Sequence, residues 1–275
     1  MIAELLLAAA LAKPAPPRPV PRFRHAIVVV FENHELPSIL GSGEAPTFDA
    51  LARRGALLTH DDAVAHPSLP NYLALVSGST QGITSDCTDC VVHARSLADT
   101  LEAAHLTWKT YAEGLPAAGF TGPFAGRYAK KHDPFLYFAD VASSARRRAH
   151  VVPFPQLARD VRSNGLPTFS LVVPDLCDDM HDCSVATGDA WLRREVVPLV
   201  RLPGTVVFVT FDEGTSDEGG GGRVATLGLG PLVRPGARFT APTSHYGLLR
   251  TLEEAWRLPR LGLSAAARPI TGIWR

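Results

Sequence analysis

Apolar runs recur along the chain, and most of them end on a short polar tip. His25–Phe31 reads His-Ala-Ile-Val-Val-Val-Phe without a polar interruption after the first residue. That is the pattern of a strand buried on both faces of a parallel sheet. Shorter runs predict further strands at Leu57–Ala65, Thr107–Ala112, Thr168–Val173, Thr205–Phe211 and Val224–Leu229. Between them, helices are predicted over Thr47–Gly55, Leu69–Gly78, Ser96–His105, Pro155–Ser163, Gly188–Val200 and Ser244–Trp256, with Ser244 as a cap. Strands alternating with helices indicate an α/β protein, a three-layer α/β/α sandwich around a mostly parallel central sheet.

Three stretches break the pattern. Ala117–Val151 has no steady period, although Tyr128, Phe135, Tyr137 and Phe138 argue for order there. Gly219–Gly222 lacks the spacing and the lysine of a phosphate-cradling loop, and is expected to be a flexible surface turn. At the N-terminus, Leu5–Ala12 is a short apolar run with a small-x-small site at Ala10-Leu11-Ala12, but Glu4 precedes it and no Lys or Arg does. It reads as a signal-like segment, with an ordinary helical turn as the alternative, and it is too short to span a bilayer. Lys13–Arg24 follows as a Pro-rich extended tether, so residues 1–24 precede one domain over 25–275.

The chain has 275 residues, 46% of them hydrophobic, enough for one large core. Lys+Arg and Asp+Glu both total 27, so nothing suggests bulk attraction to nucleic acid or anionic membranes. Arg146-Arg147-Arg148 reads as solvated surface. The even count of four cysteines beside an export-like segment suggests disulfides. Local pairs, Cys87–Cys90 and Cys177–Cys183, are preferred, and a four-cysteine zinc site is the rival.

Candidate chemistry lies at the strand ends, where open α/β sheets gather ligands. Glu32-Asn33 follows the first strand, Asp175 the run ending at Val173, and Asp212-Glu213 the run ending at Phe211. A fourth run leads to His66-Pro67-Ser68-Leu69-Pro70-Asn71-Tyr72. Ser before Leu-Pro marks a helix N-terminus, where free N–H groups attract an anion. Ser68 is therefore either a plain cap or a nucleophile facing a phosphate. Carboxylates with an amide carbonyl are hard ligands for Mg, Ca or Mn, and Zn or Fe remain open. Such an ion would lower the Ser68 hydroxyl's pKa and neutralise phosphate charge. Asn71, one turn on, is placed to donate to a phosphoryl oxygen. His132, His181 and His245 are candidate acids or phosphate donors, and Lys131 is a candidate substrate contact.

Val28–Asn33, His66–Gly78, Val207–Gly214 and Ser244–Glu253 together resemble the phosphoesterase family of bacterial phospholipases C and acid phosphatases, within the alkaline-phosphatase superfamily. The pattern is most like that of the small secreted acid phosphatases of the mycobacterial type. The resemblance implies an alkaline-phosphatase-like fold and a secreted phosphomonoesterase acting through Ser68, with phosphoinositides or other phosphorylated metabolites as substrates. Glu32, Asn33, Asp212 and Glu213 would hold one divalent ion. Asp175, His181 and His245 match a second-ion set in two-metal members, but the mycobacterial-type enzymes carry Asn in place of Asp175, so one ion is expected. The alternatives are a phosphodiesterase of phospholipase C type and a non-catalytic phosphate-binding protein. A small phosphorylated molecule or a phospholipid headgroup is the expected partner, without nucleic acid or stable membrane insertion.

Overall fold

In the computed structural model, which describes residues 18–275, the run His25–Phe31 forms strand β1, buried from Ala26 to Phe31. In chain order follow β2 (Ala56–Leu58), β3 (Asp61–Asp62), β4 (Trp108–Ala112), β5 (Phe124–Ala125), β6 (Tyr128–Ala129), β7 (Val151–Pro153) and β8 (Phe169–Val173). Then come β9 (Thr205–Phe211), β10 (Thr226–Leu229), β11 (Ala237–Phe239) and β12 (Thr243–Ser244). Eight of these make one sheet in the order β11-β2-β10-β9-β1-β8-β4-β7. Only β10 runs against its neighbours, β9 and β2. The signal-like segment lies outside the described residues. The end of the tether is docked rather than free, since Phe23 is buried against Trp256 and Trp274.

Alternation along β1 separates two cores. Ala26, Val28 and Val30 face one, with the helices Ser68–Ser77, Leu97–Ala103 and His245–Trp256. Ile27, Val29 and Phe31 face the other, with Pro46–Arg54, Pro155–Arg162 and Val185–Trp191. Each fully buried Val, Ile or Phe stabilises by about 1.5–3 kcal/mol relative to exposure. The centre of the sheet is therefore a rigid base for whatever its strand ends carry.

Several expectations change. The run Leu57–Ala65 divides into β2 and β3. β7 and β11, three residues each at the sheet edges, are too short to show a period. The helix predicted over Gly188–Val200 starts earlier, at Val185, capped by Ser184, and widens into a π-turn at Leu192–Val196. Ser244 occupies the N-cap position of its helix without a side-chain cap bond. Arg147 is buried, not solvated. It meets Asp99 at 2.8 Å and Glu102 at 3.1 Å, and pairs with Asp140. The two local disulfides form as preferred, Cys87–Cys90 and Cys177–Cys183, which removes the zinc alternative. Among the described residues no helix is long and apolar enough to cross a membrane.

Gly219–Gly222 is pressed against the segment between β3 and Ser68. A Cβ on Gly220 would lie 2.7 Å from the Val64 carbonyl oxygen, and one on Gly221 2.5 Å from that of Ala65. Glycine is needed here for close approach, and the turn is a packed element rather than a flexible one.

Buried acids set a pH dependence. Burial pushes the carboxyls of Asp61, Asp133 and Glu253 up to about 7. The same groups titrate near 4 in an unfolded chain. Between about pH 4 and 7 the folded protein thus binds more protons, and stability falls as pH rises. His245, held down to about 4 by burial, opposes this with one proton below about pH 6.5 and is outnumbered. With metal removed by chelator, Tm should rise as pH is lowered from about 8 to about 5. A Tm that falls over that range would contradict these burial effects.

Candidate active site

The site is built where β1 and β9 end side by side. Their register sets Phe31 opposite Phe211, so Glu32 and Asp212 leave the sheet together. The Asp212 N–H donates to the Phe31 carbonyl at 2.9 Å, and the Glu32 N–H to that of Asp179 at 2.9 Å. Asn33 then turns back at φ +59° and its N–H donates to Asp212 Oδ1 at 3.0 Å. Beyond it, Glu35 ties the two strand ends together, accepting from the N–H groups of Thr215, Ser216 and Arg223 at 2.9–3.1 Å.

Ser68 enters from the opposite side. Pro67 keeps an extended backbone and Ser68 is the first residue of a ten-residue helix whose side chains are all buried. Pro70 fits within the first turn because its missing N–H has no partner to lose there. The Ser68 hydroxyl donates to Glu32 Oε2 at 3.0 Å and lies 3.4 Å from Glu213 Oε1. Tyr72, four residues on and so on the same helix face, donates to Glu32 Oε1 at 2.5 Å.

The segment before Ser68 is held from inside by Asn71. Its Oδ1 accepts from the N–H groups of Val64 and Ala65, and its amide donates to the carbonyls of Ala65 (2.7 Å) and Pro67 (3.3 Å). Both amide hydrogens are engaged, so in place of the expected phosphate donor the structure shows a loop brace. His66, in the same segment, faces Glu213 Oε2 at 2.5 Å and the Ser216 carbonyl at 3.0 Å. Burial works to lower its pKa, but these acceptors raise it above the usual histidine value.

The three candidate histidines separate. His132 is buried between two carboxylates, Nε2 3.3 Å from Glu32 and Nδ1 3.3 Å from Asp179. Burial alone would lower it, yet these charges lift it to about 10. Burial would raise Glu32, but His132 and Tyr72 bring it down to about 2. His132 thus stands at ion-pair distance between the two carboxylates and supports Glu32 by its charge, although among the described residues its Nε2 has no hydrogen-bond partner. His245 donates from Nε2 to the Asp212 carbonyl at 2.6 Å, since a carbonyl can only accept. Burial holds the ring neutral, and its Nδ1 has no partner. His181 is 30% exposed, with Nδ1 2.7 Å from Asp182 and Nε2 3.3 Å from Lys131 Nζ. Burial works against the Lys131 charge, but Glu32 and Asp86 raise its pKa.

The donor set fits a divalent cation. Glu32, Asp212 and Glu213 are buried together, and Asp212 Oδ2 has no hydrogen-bond partner. Burial, then the charges of Glu32 and Glu213, push the Asp212 carboxyl well above its usual range. Such a buried acid surplus is relieved by a metal ion or by protonation. The ligand atoms that come within 4.8 Å of one another here are those of Glu32, His132 and Asp179; Asp212 and Glu213, expected to join Glu32, stand outside that group. The candidate second set, beside the one ion expected, is not gathered here. Asp175 groups with Glu113 and Asp178, and its Oδ1 accepts from the N–H groups of Cys177 (2.9 Å) and Asp178 (3.1 Å) in a local turn. His181 and His245 lie with other partners, so these three residues form no common ligand group.

Sequence reasoning missed Tyr72, Asp179, His66 and Asp86. The helical spacing of Tyr72 from Ser68 was an available signal. Asp179 stood within the acidic run 178–182, but its contact with His132 depends on the fold.

Comparison with known proteins bears on the family and the fold. A model of the Phosphoesterase family matches residues 31–259. The chain is 39% identical over 261 residues to a phosphatidylinositol-3-phosphatase of Mycobacterium tuberculosis, covering 93% of this chain and 84% of that protein. It is 30% identical over 225 residues to a phosphate-repressible acid phosphatase of Penicillium chrysogenum, covering 77% of this chain but only 54% of the fungal protein. Among solved structures, a Vibrio parahaemolyticus protein of the alkaline phosphatase superfamily shares the fold with a TM-score of 0.59 at 13% identity, covering 87% of this chain and 68% of that one. Matched over residues 31–259, the chain belongs to the Phosphoesterase family and is a phosphoric ester hydrolase.

Proposed function

We propose that this protein is an extracytoplasmic, metal-dependent phosphomonoesterase with Ser68 as its nucleophile. The observation that carries this is the Ser68 hydroxyl, at the first residue of a buried helix and within 3.4 Å of two strand-end carboxylates. Glu32, Asp212 and Glu213, with Asn33, are the residues that would hold one divalent ion. Bound there, it lowers the hydroxyl's pKa and neutralises phosphate charge. Glu32 orients the Ser68 Oγ, and Tyr72 and His132 hold Glu32 ionised. Lys131 and the helix N-terminus bind phosphoryl oxygens. Ser68 Oγ gives its proton to a facing strand-end carboxylate and attacks phosphorus, the ester P–O bond breaks, and His181, the exposed histidine, gives the leaving oxygen its proton. Water then hydrolyses the phosphoserine.

The mycobacterial relative's activity suggests a phosphoinositide monoester as substrate. The two disulfides favour an oxidising compartment outside the cytoplasm. The test is hydrolysis of p-nitrophenyl phosphate and of bis(p-nitrophenyl) phosphate, before and after chelation. Metal-dependent turnover of the monoester well above the diester is expected. The reverse preference would make the protein a phosphodiesterase, and turnover unaffected by chelation would remove the metal.

A further inference from the structure

Asp86 has no part in the chemistry above, yet it occupies the donors that chemistry needs. It immediately precedes Cys87, in the segment pinned by the Cys87–Cys90 disulfide. Its Oδ1 accepts from the N–H of Leu69, the residue after Ser68, at 2.9 Å. Its Oδ2 receives Lys131 Nζ at 2.9 Å, and the same Nζ is 3.3 Å from His181 Nε2. The neighbouring Lys130 donates to the Thr88 carbonyl at 2.9 Å, so two consecutive lysines clamp this loop over the site. The charge of Asp86 also reaches Glu213, whose carboxyl burial has already raised.

A carboxylate held by one helix-N-terminal amide and one ammonium, next to the nucleophile, resembles a bound phosphoryl group in charge and in partners. We infer that Asp86 is a built-in placeholder that sets phosphate affinity, occupying the Leu69 N–H and the Lys131 ammonium until a phosphoryl group displaces it. This rests on the assignment of the Ser68 site to phosphate. Binding of any phosphoryl group must then break the Lys131–Asp86 pair and bring a second anion beside the Asp86 carboxylate. Ground-state affinity is lowered as a result, and inorganic phosphate, the product, leaves more readily. Asp86 is a positioning residue in this scheme. It touches the groups that hold the phosphate and not the reacting atoms.

Asp86→Asn keeps the shape and an acceptor for the Leu69 N–H but removes the charge that holds Lys131. Inorganic phosphate should then compete about tenfold more tightly against p-nitrophenyl phosphate. KM should fall in parallel, while kcat stays level or drops through slower product release. The double variant Asp86→Asn/Lys131→Met should lose that gain, because the freed ammonium is its source. Calorimetric titration of inorganic phosphate into each metal-loaded protein provides a readout independent of turnover. Unchanged or weaker phosphate binding by a folded Asp86→Asn protein would overturn the inference and leave Asp86 as a helix cap. A wild type that neither hydrolyses the monoester nor binds phosphate would overturn the phosphate site itself, which is a distinguishable result.

Discussion

Ser68→Ala should lower kcat by roughly 10³-fold or more while leaving the protein folded, since the covalent route is lost. The hydroxyl bonds only to Glu32 and Glu213, both anchored independently, by Tyr72 and His132 in one case and by His66 in the other. Losing one such hydrogen bond costs about 1–3 kcal/mol when the charged acceptor keeps other partners. KM should change far less than kcat, because the anion-binding groups remain. Retention of more than a tenth of wild-type kcat would take the nucleophile's role from Ser68.

Asp212→Asn should separate activity from stability. Its Oδ1 can still accept from the Asn33 N–H, so the turn at Asn33 after β1 survives. The negative charge is lost, and with it a carboxylate oxygen that has no hydrogen-bond partner among the described residues. Metal analysis should show the bound ion gone or strongly depleted, and kcat should fall by orders of magnitude. In the chelated protein, however, the variant should melt no lower than wild type. Burial and the neighbouring Glu32 and Glu213 charges already disfavour an ionised Asp212, and a neutral amide removes that repulsion. A variant that keeps full metal content and activity would move the ion to the Glu32, His132 and Asp179 group instead.

The strands that carry the site were legible because β1 and β9 are apolar runs, broken in β9 only by Thr210, and such runs are buried on both faces of a sheet. Ser68 was legible through the Ser-Leu-Pro start of its helix. The pairing of Glu32 with Asp212 was legible only through the family resemblance, because it follows from the register of strands about 180 residues apart, which no local pattern encodes. The contact of Asp179 with His132 was not legible, and neither was Asp86, which looked like one polar loop residue among several. Asn71 and Arg147 show the converse limit. Residue type and position matched an expected role, but backbone groups claimed the Asn71 amide and three carboxylates claimed Arg147. Gly219–Gly222 was misread for a related reason: close packing against another segment leaves the same glycine signature as an open turn.

The most direct test of Ser68 as the nucleophile is a rapid acid quench of the metal-loaded enzyme during turnover of a phosphomonoester, followed by mass mapping of the peptides. A phosphoryl group on Ser68, absent from Ser68→Ala, is the expected result. An unmodified Ser68 peptide after the acid quench, with a parallel alkaline quench showing phosphate on a histidine, would contradict it.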